Sequence, residues 1–153
     1  MKSEKKIQPA GWRDLLAVNR LEKACFDRDA WPWMDILAVL TFPGVVRLKA
    51  VASGNVIGFV AGDRVKKNTV GRIITIGVLP EYQRQGVGRN LLFSAERALD
   101  TAIFQLVLRK TNLKALQLYH KAAYRIVDTW PGYYSNGEDG IVMEKTGGSF
   151  PVL

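Results

Sequence analysis

A chain of 153 residues, 48% hydrophobic and 24% charged, has the length of one domain around one substantial core, which excludes a disordered or fibrous chain and leaves no room for a second domain. The formal charge of +8, from 22 Lys and Arg against 14 Asp and Glu, is dispersed rather than gathered in runs, so a small anionic ligand is favoured over nucleic acid. Cys25 is the only cysteine, which excludes an internal disulfide; with no apolar run of about eighteen residues, and Met1 to Lys6 leading into Ile7-Gln8-Pro9, no membrane partner and no metal are expected and a cytoplasmic location is.

In chain order, Ile7 to Pro9 forms a short edge strand, and Trp12 to Ala24 a covering helix with Trp12, Leu15, Leu16, Val18, Leu21 and Ala24 on its apolar side. Phe26 to Trp33 breaks the pattern at Pro32, and Met34 to Leu40 resumes it until Pro43-Gly44. Trp31-Pro32-Trp33 is either a lid packed on the core or one wall of a binding groove. Val45 to Val51 and Val56 to Asp63 are strands joined by a turn at Ser53-Gly54-Asn55, and a loop through Lys66-Lys67-Asn68-Thr69 carries the antiparallel meander onward.

The organising stretch is residues 73 to 92. Ile73 to Val78 reads as a buried β-branched strand that Pro80 stops, since proline has no amide for a ladder. Val87, Leu91, Leu92, Ala95, Ala98 and Leu99 recur at helical spacing, ending near Asp100. The helix therefore begins at Gly86 and Gly88, where first-turn amides lack intrahelical partners and point outward as donors. Those amides and the helix dipole favour an anion, by roughly 0.3 to 1 kcal/mol at an exposed end, and Arg84 and Arg89 add charge. A dinucleotide fingerprint needs a third glycine where Leu91 stands, and a Walker loop needs Lys-Ser or Lys-Thr where Arg89-Asn90 stand. A pyrophosphate fits; a turn that is glycine-rich for packing alone is the other reading.

Phe104 to Arg109 is the next strand. Strand, helix and strand make a parallel crossover, and a gap between splayed strand ends would admit a linear ligand arm. Thr111-Asn112 caps a helix from Asn112 to Ala122, on which Asn112, Leu116 and Tyr119 share a face; Asn112 caps and Tyr119 packs, or both present polar groups to the gap. His120 is turned away to the surface. Tyr124 to Thr129 and Gly140 to Lys145 are the last strands, and the loop from Trp130 to Asp139 between them is too aromatic to be only a solvated turn. Residues 146 to 153 are expected to fray.

Gln83-Arg84-Gln85-Gly86-Val87-Gly88 resembles the Gln/Arg-x-x-Gly-x-Gly/Ala acetyl-coenzyme A motif of the GCN5-related N-acetyltransferases (GNAT). Asn112-Leu113-Lys114-Ala115-Leu116-Gln117-Leu118-Tyr119 is similar to that family's Asn-x-x-Ala-x-x-x-Tyr, with Ala123-Tyr124 where a Gly-Phe pair is common. The likeness covers most of the chain and is nearest to the ribosomal-protein-alanine N-acetyltransferase branch. It implies an α/β fold over residues 1–153: a mixed, mostly antiparallel sheet with a central splayed parallel pair and helices on both faces. It implies acetyl-coenzyme A as cosubstrate, held by the backbone of Ile76, Gly77 and Val78, by Arg84, Gln85, Gly86, Val87, Gly88 and Arg89, and by Asn112 and Tyr119. Tyr119 would serve the leaving thiolate. The implied acceptor is an amine, most simply a protein or peptide N-terminal α-amine, in a groove of Trp31, Trp33, Tyr133, Tyr134 and Glu138. Val107 stands where the branch carries its base glutamate, so the proton must leave through water, Glu138, Asp139 or solvent. A small-molecule amine acceptor and a noncatalytic acyl-coenzyme A or nucleic-acid binding module are the alternatives, for a monomer or homodimer.

Overall fold

The computed structural model describes residues 4–26 and 29–147. In chain order the elements are β1 (Lys5–Pro9), α1 (Leu15–Phe26), α2 (Trp33–Thr41), β2 (Val46–Ala52), β3 (Asn55–Lys66), β4 (Val70–Val78), α3 (Val87–Leu99), β5 (Ile103–Arg109), α4 (Leu113–Lys121), β6 (Arg125–Trp130) and β7 (Gly140–Thr146). The strands form one sheet in the order β1-β2-β3-β4-β5-β7-β6, antiparallel except at β4–β5. The meander from β2 to β4 is local: Ser53 and Gly54 both take positive φ, 51° and 78°, which matches the twist that a two-residue hairpin requires.

Two apolar layers clamp the sheet. Val18 and Leu21 of α1 with Ile36 and Leu40 of α2 pack against Phe59 and Ala61 on one face. On the other, Leu91, Leu92, Ala95 and Leu99 of α3 meet Ile57, Val60, Phe104 and Leu106, with Tyr119 of α4 closing the cluster. The expected apolar side of the first helix is only partly right. Residues 12 to 14 form a separate 3-10 turn that leaves Trp12 exposed; within α1 the buried face runs through Val18, Leu21 and Glu22, so at 100° per residue Leu16 and Ala24 point to solvent.

On α3 the expected core position Ala98 is exposed, and Glu96 is buried beside Leu92, Ala95 and Leu99. Its carboxylate accepts from Lys145 Nζ at 2.8 Å and from the Tyr124 hydroxyl at 2.6 Å, an ion pair sealed in the core. The expected fraying fails at its first two positions. Thr146 pairs with Ile103, and the Gly147 amide donates to the Ala102 carbonyl; residues 148–153 lie outside the described residues.

β4 and β5 touch only at their beginnings, through Val70–Ile103, Gly71–Phe104 and Arg72–Gln105. Immediately beyond, the β3–β4 register steps from Gly62–Ile73 to Ala61–Thr75, so Ile74 is an extra residue in β4. Such a bulge bends its strand, and from there β4 follows β3 while β5 follows β7. A wedge opens between the two carboxyl ends.

Candidate active site

The wedge is flanked by the start of α3. Arg84 and Gly86 adopt left-handed φ of 63° and 83°, with Gln85 between them outside that region. Alternation of this kind turns successive amides toward one side and makes an anion-binding concavity. No side chain caps α3, so its first-turn amides are left for an outside acceptor. Arg84, Gln85 and Gly86 are exposed; Val87 is buried, so only its backbone belongs to the cradle. The Arg89 guanidinium lies 5.3 Å from the Phe93 ring centre.

At the end of β4, Ile76 and Val78 pack into the α3 layer, while Gly77 faces α1. A Cβ there would stand 3.1 Å from Leu21 Cδ2 and 3.2 Å from Cys25 Sγ, so a side chain would make α1 give way by a few tenths of an ångström. The Val78 carbonyl already accepts from Gln83 Nε2 at 3.0 Å and from the Cys25 thiol at 3.3 Å. Burial pushes that thiol up to about 11, which makes Cys25 a packing residue rather than a nucleophile at neutral pH.

α4 borders the same opening: a Cβ on Gly88 would lie 3.6 Å from both Leu118 Cδ2 and Val78 Cγ2. Asn112 caps this helix, its Oδ1 accepting from the Ala115 amide at 3.2 Å, and its side-chain NH2 remains the donor it can offer. Tyr119 is buried at 8% exposure, edge-on to Tyr124 with ring centres 5.9 Å apart. Burial, with a smaller push from nearby Tyr134, raises its hydroxyl far above the ordinary phenol range.

The third side is built by β5, whose buried residues alternate: Phe104, Leu106 and Leu108 enter the α3 layer, so Gln105, Val107 and Arg109 share the opposite face. Val107 lies beneath the β6–β7 loop, since a Cβ on Gly140 would meet Val107 Cγ1 at 2.9 Å and Tyr133 Cβ at 3.1 Å. Arg109 is the hub. Its Nε and Nη2 donate to both oxygens of Asp29, its Nη1 to Glu138 Oε2 at 2.7 Å and Asn136 Oδ1 at 2.9 Å, and its plane covers the Tyr134 ring at 4.2 Å.

Glu138 is therefore a poor base. Thr111 donates to its Oε1 through hydroxyl and amide, at 2.5 and 3.0 Å, and with Arg109 these hold the carboxyl at about 2. Asp139 is engaged too, Oδ1 accepting from the Gly132 amide at 3.0 Å. Tyr133 and Tyr134 stack edge-to-face at 5.0 Å. No ring contact among the described residues links them to Trp31 or Trp33, which flank a surface cleft beside Asn19 and Lys23 of α1.

Three charged groups, Arg109, its partner Asp29 and the buried Glu22, were not singled out in the sequence. Arg109 had one signal, its place two residues after Val107 on the same strand face. Glu22 had none. It is 2% exposed on a small cavity with Val18, Trp31, Phe59 and Thr75; its Oε1 accepts from Thr75 Oγ1 at 2.9 Å, and burial raises its pKa against the smaller opposing pull of Thr75 and the Trp31 backbone.

Residues 12–124 match the Acetyltransferase (GNAT) family. The chain belongs to that family. Among its GNAT relatives, an uncharacterised N-acetyltransferase of Methanocaldococcus jannaschii is 30% identical over 87% of this chain and 86% of its own length. N-alpha-acetyltransferase 20 of Dictyostelium discoideum is 28% identical over 68% of this chain, which spans 64% of that relative. The catalytic subunit of the N-terminal acetyltransferase B complex of Arabidopsis thaliana is 31% identical over 74% of this chain and 63% of its own. The crystal structure of the ribosomal-protein-S18-alanine N-acetyltransferase of Escherichia coli superposes with a TM-score of 0.82 at 23% identity, covering 97% of this chain and all of that one. That likeness shows the fold: the expected mixed sheet with its splayed parallel pair is a GNAT sheet.

Proposed function

We propose that this GNAT protein transfers acetyl from acetyl-coenzyme A to the α-amine of a polypeptide N-terminus. One observation carries the reading: an uncapped helix start with two left-handed residues before it and a buried, protonated phenol both border the wedge between β4 and β5. That wedge suits an elongated thioester with a phosphate end. A GNAT fold determined with acetyl-coenzyme A superposes at a TM-score of 0.83, which supports the same cosubstrate. The α3 amides and Arg84 would hold phosphate, and the unpaired edge of β4 would hold the arm. Attack by the amine nitrogen on the thioester carbonyl forms the amide carbon–nitrogen bond and breaks the carbon–sulfur bond. Tyr119 gives its proton to the departing sulfur and regains one from solvent, and the amine's proton leaves through water.

The α-amine follows from the base that is not there. An α-amino group titrates near 7.7 to 8.0 and a lysine side chain near 10.4. With Val107 on β5 and Glu138 held at about 2, the site has little to pull a proton with, and only the α-amine is substantially unprotonated near neutral pH. N-terminal acetyltransferases among the relatives support this choice. Thiol release with peptides that offer both amines, followed by mass spectrometry, tests it. Acetyl on the α-amine, with a rate rising along that amine's titration, is expected; acetyl on lysine with the α-amine free would refute the assignment.

A further inference from the structure

We propose that Arg109 is a positioning residue that ties the two walls of the acceptor groove to each other, an inference that rests on the peptide-acceptor reading above. The walls come from distant parts of the chain. Asp29 belongs to the segment between α1 and α2, and Tyr134, Asn136 and Glu138 to the loop between β6 and β7. Arg109, at the last position of β5, reaches both with four of its five N–H groups and lays its face on Tyr134.

The geometry is demanding. A fork-to-fork pair with Asp29 fixes the guanidinium plane, and that plane in turn fixes where Tyr134 can stack and where Nη1 meets Glu138. The Arg109 side chain is 16% exposed and Glu138 19%, so these contacts are partly withdrawn from water and less screened than ordinary surface pairs. Tyr134 matters because it lies close enough to Tyr119 to affect it electrostatically. Shifting Arg109 would therefore shift the groove wall nearest the reacting atoms. Lysine could keep one ion pair but not the fork, the second pair and the stacked face together.

The test compares Arg109→Gln and Arg109→Lys with the wild type. Peptide KM, kcat, coenzyme A affinity by calorimetry and amide exchange at residues 29–33 and 131–139 are the readouts. The expected result is a fall of about 10²-fold in kcat/KM for the peptide, the scale on which a small misplacement of substrate acts. Most of it lies in KM, with coenzyme A affinity within twofold and faster exchange in both segments; Lys restores little. Unchanged peptide KM, an equal loss of coenzyme A affinity, or faster exchange in only one segment would overturn the strap. Should the Arg109 variants fail to fold, Asp29→Asn decides: faster exchange at 131–139, across the groove from the substitution, is expected, and none refutes it. If the wild type acetylates no peptide α-amine, the acceptor reading falls while the exchange measurements still judge the strap.

Discussion

A phenol acts as an acid only while it keeps its proton, and the burial of Tyr119 keeps it through the whole neutral range. Tyr119→Phe should lower kcat by about 10²-fold or more, the usual scale of positioned proton transfer, with a much smaller effect on coenzyme A affinity. Single-turnover kinetics beside calorimetry check this, and unaltered chemistry would remove Tyr119 from the reaction. Glu22 gives a residue-scale prediction on stability. Its folded pKa is raised above the ordinary 4.5, so the native state binds its proton more tightly than the unfolded chain, and stability is lost as pH climbs from 4.5 through the folded value. Glu22→Gln removes that loss; the difference in Tm, variant minus wild type, should grow more positive from pH 4 to pH 8, and a flat difference would show that the carboxylate is not penalised. Tyr119 was legible because it sits in a spaced pattern with Asn112, whereas Glu22 was not, because its burial depends on Thr75 and Trp31 arriving from elsewhere in the chain.

At the scale of elements, the strand from Ile73 to Val78 and the helix from Val87 to Leu99 were legible, since proline, paired glycines and helical periodicity all act locally, although β4 starts three residues earlier, at Val70. What local pattern could not reveal was phase and partnership. The 3-10 turn before α1 took Trp12 off the helix, the buried face through Val18 and Leu21 left Leu16 outside, and Glu96 replaced Ala98 on the buried stripe because Lys145 of β7 and Tyr124, just before β6, complete it. The cradle itself invites a test. Gly86 has a φ of 83° with nothing near a would-be Cβ, so the objection to a side chain there is conformational rather than steric. A left-handed non-glycine residue costs about 1 to 2 kcal/mol, and Gly86→Val should weaken coenzyme A binding by about tenfold if that strain distorts the amides. Lys67→Val, in an exposed turn, should leave binding as it was; calorimetry distinguishes the two.

For the whole molecule, the sequence suggested strands, a crossover and a splayed centre, but the insertion of β7 between β5 and β6 left no local trace, because sheet order is decided by which edges remain after the others pair. The core charge cluster answers to the entire fold. Lys145→Met would take the counter-ion from Glu96, fully buried, leaving it the Tyr124 hydroxyl, and removing one partner of a buried pair costs about 3 to 5 kcal/mol. Urea unfolding should show that loss, and adding Glu96→Gln should recover part of it; an undiminished midpoint in the single variant would mean the pair is neutral in effect.

The wedge also makes the sheet a mechanical object with a weak seam. Four strands from β1 to β4 and three from β5 to β7 share only three ladder pairs, at one end, so beyond them the two halves are joined by the α3 layer rather than by backbone hydrogen bonds. A cosubstrate lying along that seam would serve as the missing rung. Ligand at a hundred times its Kd adds about 2.7 kcal/mol to stability, and here the stiffening should be uneven: amide exchange should slow most at residues 73–78 and 107–109, on the two lips of the seam, and least at β1 and β6, the outer edges. In that sense the substrate would complete the sheet before it is consumed, and each turnover would end with the protein relaxing along the line where its own hydrogen bonds run out.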